Sequence, residues 1–236
     1  MRVLGLDTSN YTTSCAVFDG EKGVNRGRIL DVRPGELGLR QSDALFQHIK
    51  RLPGLLGALA EEASLEGLGA VGASARPRAV EGSYMPCFLA GASQGQSLAH
   101  VLGVPFYAFS HQQGHLAAAA WSAGRMDLLD RPFLAWHLSG GTTELLRAEP
   151  EGDGVAVRAE ILGGTTDISA GQLIDRTGVL LGLQFPAGKA LDALSGEADT
   201  TLKYRVKRDG LRFSLSGMEN QVKKLLADGE KPANIA

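Results

Sequence analysis

The sequence predicts an α/β protein built on mixed sheets. Short apolar runs of strand length alternate with longer stretches of helical spacing. Two strands end in hydroxyl-rich turns, Asp7-Thr8-Ser9-Asn10 and Ser139-Gly140-Gly141-Thr142-Thr143. Glycine is abundant, 31 of 236 residues, as many tight turns and close backbone approaches require. One such turn in each half is what a duplicated phosphate-clamping fold presents.

Size and composition bound the rest. The length suits one or two domains of roughly 100–200 residues, and a hydrophobic content of 44% supports a packed core rather than disorder. The net charge is -2, so no nucleic-acid signature runs over the whole chain, and any such contact must come from a local patch. Cys15 and Cys87 lie far apart in sequence, which points to a reducing compartment and away from a disulfide framework. Met1 leads directly into an apolar strand without a basic leader. No apolar run approaches the ~20 residues of a bilayer span. The expectation is a cytoplasmic protein with no membrane segment.

Taken in order, Arg2 to Asp7 reads as a strand, Cys15 to Asp19 as its antiparallel partner, and Gly27 to Val32 as a third strand. Asp7, Thr8 and Ser9 stand at the first turn, where an acid can serve a cation and hydroxyls and amides can serve oxygens; an ordinary polar hairpin turn uses the same residues. From Gln41 to Ala63, Leu45, Ile49, Leu52, Leu55, Leu56 and Leu59 have helical spacing, and Pro53 leaves either two helices or one kinked helix. His48 on this stretch reads as a surface or boundary residue. Leu68 to Ser74 is a strand, followed by Arg76-Pro77-Arg78, whose cations suit an anionic ligand or RNA or, at least as well, a solvated loop. Phe88 to Leu102 is a helix whose small residues permit close packing on a sheet, and Val104 to Phe109 is the next strand.

Ser110 then caps a helix carrying His111 and His115. Residues four apart share a helix face, with Cβ atoms about 5–6 Å apart, and two imidazoles so placed can hold one cation. A third ligand is needed. Asp7, Asp167 and Asp175 are candidates by residue type, and spacing does not choose among them. Phe133 to Leu138 is a strand running into the Ser-Gly-Gly-Thr-Thr turn, where glycines flanked by hydroxyls can aim amides at an oxyanion; a Gly-Gly hairpin without a ligand is the alternative. Val155 to Leu162 is another strand. Thr166 or Asp167 caps a helix carrying Asp175, which ends at the break Gly182 to Gly188. Lys203, Arg205 and Lys207 alternate as on a strand, Asp209-Gly210 forms a turn, and Leu211, Phe213 and Leu215 return. That basic face suits RNA phosphates and, more readily, a solvated edge strand protected by lysines. Gly217 to Ala227 is a helix, and Lys231-Pro232 opens one more before the chain stops, as in a fragment or truncated form.

These motifs together resemble the tRNA threonylcarbamoyltransferases (the TsaD family, long called O-sialoglycoprotein endopeptidase or glycoprotease). The matching stretches are Leu4 to Ser9, His111-Gln112-Gln113-Gly114-His115, Leu138 to Thr143, Ala170-Gly171 through Asp175-Arg176-Thr177, Leu181 to Leu183 with Pro186-Ala187-Gly188, and Phe213 to Gly217, in the family's order over almost the whole chain. The resemblance implies the actin-like ATPase fold, a duplicated RNase H-like α/β architecture with mixed sheets. Its halves are expected at residues 1–110 and 111–236, the second with a helical insertion and incomplete. It implies that His111 and His115 bind a divalent metal, iron or zinc. It implies that Asp7, Thr8, Ser9 and the run His137, Leu138, Ser139, Gly140, Gly141, Thr142 meet nucleotide phosphates or the threonylcarbamoyl group, and that Asp175 and Gly188 hold the nucleoside of ATP or threonylcarbamoyl-AMP. The implied partners are tRNA and a paralogous subunit, or a homodimer. The family reaction passes a threonylcarbamoyl group to the N6 amine of adenosine 37 in tRNA.

The departures mark a divergent paralogue. Gln113 replaces the acid inside the His-x-x-x-His motif and Thr142 replaces a histidine. Asn10-Tyr11 stands for a Cys-Asp-Glu stretch, Arg76-Pro77-Arg78 for a Gly-Pro-Gly turn, and the family's last stretch, with a third metal ligand, is absent. A non-catalytic subunit of the same superfamily is the alternative function. A metallopeptidase fits least, because the chain has no His-Glu-x-x-His and Gln113 supplies no general base.

Overall fold

The computed structural model describes residues 1–32, 39–152 and 156–236. The chain packs as two units, residues 1–130 with 150–158, and residues 131–149 with 159–236. In the first unit, β1 (Arg2–Asp7), β2 (Thr12–Phe18) and β3 (Gly23–Ile29) form an antiparallel meander. β4 (Leu68–Arg76) lies parallel beside β1, and β5 (Phe106–Ser110) parallel beside β4. The resulting order β3-β2-β1-β4-β5 is that of an RNase H-like half. β3 starts and ends earlier than expected. It is exposed along nearly its whole length, so no apolar period marks it, and its limits follow from pairing Gly23 with Phe18 and Ile29 with Thr12.

One face of this sheet buries Leu4, Leu6, Cys15, Val17, Val71 and Ala73 against α1 (Gln41–Glu62) and α2 (Phe88–Leu102). α1 is a single helix through Pro53. Proline inside a helix costs about 3 kcal/mol. Fully burying Leu52 and Leu59 returns about 1.5–3 kcal/mol each. Gly95 lets α2 lie close to the sheet: a Cβ there would stand 3.0 Å from the Phe106 ring and 3.2 Å from Leu6. α3 (His111–Ser122) covers the opposite face, where Trp121 meets the edge of Phe18 at a centroid distance of 5.7 Å. The boundary between the units therefore falls after Asp130 rather than after residue 110, because α3 packs on β4 and β5. Cys15 and Cys87 are both buried and free.

The second unit has the sheet order β6-β7-β8-β10-β9, built from β6 (Phe133–Leu138), β7 (Thr143–Pro150), β8 (Val157–Thr165), β9 (Lys207–Asp209) and β10 (Arg212–Ser214). Val155, expected to open β8, lies outside the described residues. β8 and β10 are parallel, while the β6–β7 and β9–β10 pairs are antiparallel. Among the described residues β6 has one strand neighbour and forms an edge. Its outward face carries Leu134, Trp136 and Leu138, which are 64%, 54% and 60% exposed. β9 is shorter than the alternation from Lys203 suggested, and the two-residue loop is Gly210-Leu211, since Asp209 pairs with Arg212. Four helices complete this unit: α4 (Ala170–Leu180), α5 (Gly188–Ser195), α6 (Ser216–Ala227) and α7 (Pro232–Ile235). α5, unmarked in the sequence, follows a cis Phe185–Pro186 bond. Among the described residues no helix is long and apolar enough to cross a membrane.

Candidate functional site

In the first unit the end of β1, the end of β4 and the start of α3 meet. Ser110 caps α3 through a reciprocal pair: its hydroxyl accepts the Gln113 N–H, and Gln113 Oε1 accepts the Ser110 N–H at 2.7 Å. Gln113 Nε2 also donates to the Val157 carbonyl at 2.9 Å. A glutamate could not make that second bond, so the residue that departs from the family pattern ties Val157, in the segment 150–158 of the same unit, to α3.

This cap places His111 beside Asp7. His111 Nδ1 lies 2.8 Å from Asp7 Oδ2, which also accepts the Ser74 hydroxyl at 2.5 Å. Asp7 Oδ1 accepts the N–H of Ser9 at 2.7 Å and the Ser9 hydroxyl. Burial works against the charged carboxylate, but the hydrogen bond and charge of His111, helped by Ser74 and Ser9, outweigh it and lower Asp7 to about 2. An ionised Asp7 accepts only, so it fixes the proton of His111 on Nδ1 and leaves Nε2 as an acceptor. That Nε2 stands 2.8 Å from Nε2 of His115.

Two imidazole nitrogens held on one tetrahedral cation at about 2.0–2.1 Å stand about 3.3 Å apart. The pair therefore fits a cation after opening by about half an ångström, with His115 moving its proton to Nδ1. Asp7 stands behind His111, in the position of carboxylates that orient metal-bound imidazoles, with Oδ2 engaged by His111 and Ser74. Among the described residues no set of three metal-ligating side chains comes together. Asp175 and Asp167 are engaged within the second unit.

The neighbouring loop is held by Thr8, one of the first-turn residues, and by His48, which the motifs did not assign to it. Thr8 is fully buried, donating to the Cys87 carbonyl at 2.9 Å and accepting the Gly91 N–H at 3.0 Å, so its hydroxyl locks the loop to α2. His48 is fully buried rather than on the surface. Its Nε2 is 3.3 Å from the Asn10 carbonyl and its Nδ1 2.8 Å from the Thr13 hydroxyl, so it supports Asn10 at φ 48°. Desolvation pushes its pKa down, against the raising effects of the Asn10 carbonyl and Asp7.

In the second unit the Ser139–Thr142 turn closes on itself. Ser139 Oγ accepts the N–H groups of Gly141 at 3.1 Å and Thr142 at 2.9 Å. These inward amides are the ones an anion would take over. His137 Nδ1 is 3.6 Å from Glu144 Oε2 across the β6–β7 pair, and Leu138 is exposed. The turn rests on the start of α4. The Ser169 hydroxyl donates to the Gly140 carbonyl at 2.7 Å, and Ala170 N–H donates to the Thr143 hydroxyl at 2.7 Å. A Cβ at Gly171 would stand 2.7 Å from Gly140 Cα and 2.7 Å from the Ser139 oxygen. The cap of α4 is Ser169 with Gln172, not Thr166 or Asp167; Ser169 is displaced from the sequence expectation because Asp167 is used elsewhere. Asp167 accepts from the hydroxyls of Ser214 and Ser216, both at 2.6 Å, and from the Leu215 N–H at 2.9 Å. These bonds outweigh desolvation and hold its carboxyl well below the usual range.

One turn along α4 from Gly171, Asp175 Oδ1 accepts the Ala187 N–H at 2.8 Å and so sets the start of α5. Asp175 also lines a groove of about 440 Å³ with Arg176, Val179, Phe185, Glu219 and Lys223, within the range of small-molecule pockets. Phe185 is 73% exposed there. Glu219 accepts from Arg176 at 2.9 Å and Lys223 at 2.6 Å. Gly188 lies beside Ile174, where a Cβ would find only ordinary contact at 3.9 Å. The groove residues other than Asp175 escaped the sequence reading; the spacing of Asp175, Arg176 and Val179 on one helix was the only signal.

Comparisons with known proteins bear on this arrangement. The family model TsaD, described as tRNA N6-adenosine threonylcarbamoyltransferase, matches residues 38–236. A tRNA N6-adenosine threonylcarbamoyltransferase of Thermus thermophilus (strain ATCC BAA-163 / DSM 7039) is 34% identical over 243 residues, covering 100% of this chain and 71% of that protein. The protein of the same description from a second strain of that organism (ATCC 27634 / DSM 579) is 34% identical over 241 residues, covering 99% and 69%. Among solved structures, T. kodakarensis HypF overlays with a TM-score of 0.52 at 13% identity, over 99% of this chain and 37% of that one, a likeness of fold. With 34% identity sustained along its full length and a family match beginning at residue 38, the chain belongs to the tRNA N6-adenosine threonylcarbamoyltransferase family.

Proposed function

We propose that this chain is a metal- and adenine-nucleotide-binding threonylcarbamoyltransferase-like protein that acts in the modification of adenosine 37 of tRNA. One arrangement carries the proposal: the Nε2 atoms of His111 and His115 converge to 2.8 Å, with Asp7 fixing the outer nitrogen of His111. His111 and His115 hold a divalent cation, iron or zinc; when bound, it supplies Lewis-acid polarisation of a carbonyl or phosphoryl oxygen. Asp7 keeps His111 in the tautomer that presents a lone pair.

In the second unit the amides of Gly141 and Thr142 take a phosphate of the donor nucleotide in place of Ser139 Oγ, at the positive end of α4. Gly171 and Asp175 are four residues apart on α4, about 6 Å along the axis, a separation suited to the phosphate and ribose of one nucleotide. The second oxygen of Asp175 takes a ribose hydroxyl, and the exposed Phe185 ring offers a face for the base. In the transfer, the N6 amine of adenosine bonds to the carbamoyl carbon, the bond from that carbon to the phosphate oxygen breaks, AMP leaves, and the amine loses a proton.

The test is elemental analysis of purified protein, wild type beside the double variant His111→Ala/His115→Ala, with an ATP titration of each. About one metal ion per chain, lost in the double variant while ATP still binds, is the expected result. Unchanged metal content in the double variant overturns the assignment of the histidines. ATP binding without metal in the wild type moves the chain to a non-catalytic subunit of the family.

A further inference from the structure

We propose that Lys203 to Arg212, the β9–β10 hairpin with its lead-in, is the surface on which this chain receives the phosphodiester backbone of RNA; this rests on the tRNA-directed function proposed above. Five cations, Lys203, Arg205, Lys207, Arg208 and Arg212, fall within ten residues that contain one acid, Asp209, in a chain of net charge -2. All five are exposed, and among the described residues none of them meets a carboxylate, although the strand register sets Arg212 opposite Asp209. Elsewhere in the same unit Arg176 and Lys223 pair with Glu219 and Lys231 with Asp199, while among the described residues Lys189 and Lys224 stand singly. The unpaired charge is concentrated on the hairpin.

The hairpin is also held rigidly from both ends. At its entry, Gln221 on α6 takes both backbone groups of Arg205, accepting its N–H at 2.9 Å and donating to its carbonyl at 2.8 Å, and the Tyr204 hydroxyl donates to the Ile235 carbonyl at 2.9 Å. At its exit, Asp167 gathers Ser214, Leu215 and Ser216. β8 packs so closely beside the loop that a Cβ on Gly163 would stand 2.2 Å from the Leu211 carbonyl. Protection of an edge strand explains one or two charges on the three residues of β9, but Lys203 and Arg205 precede any strand, and neither protects an edge. A fixed backbone displaying successive unneutralised cations is instead the arrangement that neutralises phosphates and releases their counterions.

The experiment measures binding of an unmodified tRNA transcript to the full chain across a series of salt concentrations. Wild type is compared with the triple variant Lys207→Glu/Arg208→Glu/Arg212→Glu and with the charge-keeping variant Lys207→Arg/Arg208→Lys/Arg212→Lys. The expected result is at least a tenfold loss of affinity in the first, a salt slope smaller by about 2 for three lost cations, and near-wild-type binding in the second. An unchanged thermal midpoint and ATP titration in both variants shows that the fold and the nucleotide site are intact. Wild-type tRNA binding with the same affinity and slope in the triple variant overturns the hairpin surface and leaves the proposed function standing. Absence of wild-type tRNA binding alongside intact ATP binding overturns the hairpin as an RNA surface and the tRNA reading together. Binding to vesicles of anionic phospholipid but not to tRNA assigns the charge to a membrane and overturns the proposal.

Discussion

At the scale of single residues, one constraint on the first unit is a histidine with no visible sequence signature. His48 lies among the helical leucines of α1, where its residue type suggests the surface or a boundary, yet it is fully buried. Its partners, Asn10 and Thr13, are 38 and 35 residues away and meet it through the antiparallel meander. Burial depresses its pKa, so the unfolded chain takes up the proton more readily than the folded one. Stability from this site is present above about pH 6.5 and is lost as pH falls below that value. Urea midpoints followed from pH 8 to pH 5 should fall more steeply for wild type than for His48→Gln. Parallel curves would remove His48 from the account. Asp7, lowered to about 2, stays ionised throughout this window and adds no slope. His111 and His115 were legible because four-residue spacing on a capped helix has a geometric consequence. Asp7 was legible as an acid at a strand end, but whether it binds a metal or orients a ligand depends on a rotamer that spacing does not encode.

At the scale of elements, the second unit depends on how α4 meets the Ser-Gly-Gly turn. A methyl group at Gly171 would collide with backbone atoms of Ser139 and Gly140, which have no rotamer to yield. Gly171→Ala should cost about 1–3 kcal/mol and weaken ATP binding, read from a denaturant midpoint and a titration on the same sample. Gly57, exposed inside α1 with open space where a Cβ would stand, is the contrasting glycine. Gly57→Ala should stabilise by about 0.5–1 kcal/mol, read from the denaturant midpoint; a loss of stability there would show that the site is not open. The Ser139 turn and the break before Gly188 were readable because glycine and proline punctuate a chain strongly. The cap at Ser169 was not, because Thr166, Asp167 and Ser169 are all good caps, and the choice falls to whichever partner recruits Asp167.

At the scale of the whole molecule, the two sheets were unequally legible. The order β3-β2-β1-β4-β5 follows from an antiparallel meander and two crossovers through helices, and every one of those elements except β3 is written in the hydrophobic periods. The order β6-β7-β8-β10-β9 is not, since β8 and β10 are joined through two helices and a long exposed segment, and β9 and β10 have three residues each. The edge position of β6 has a practical consequence. An unpaired strand rim beside exposed Leu134, Trp136 and Leu138 is a template on which further chains can add. In solution these 236 residues should therefore show association that rises with protein concentration, visible in sedimentation velocity as a weight-average mass that climbs on loading. Leu134→Lys, which sets a charge on that rim, should hold the chain monomeric to higher concentration. The strand that carries the Ser139 turn is thus also the one that sets the concentration at which the protein can be handled.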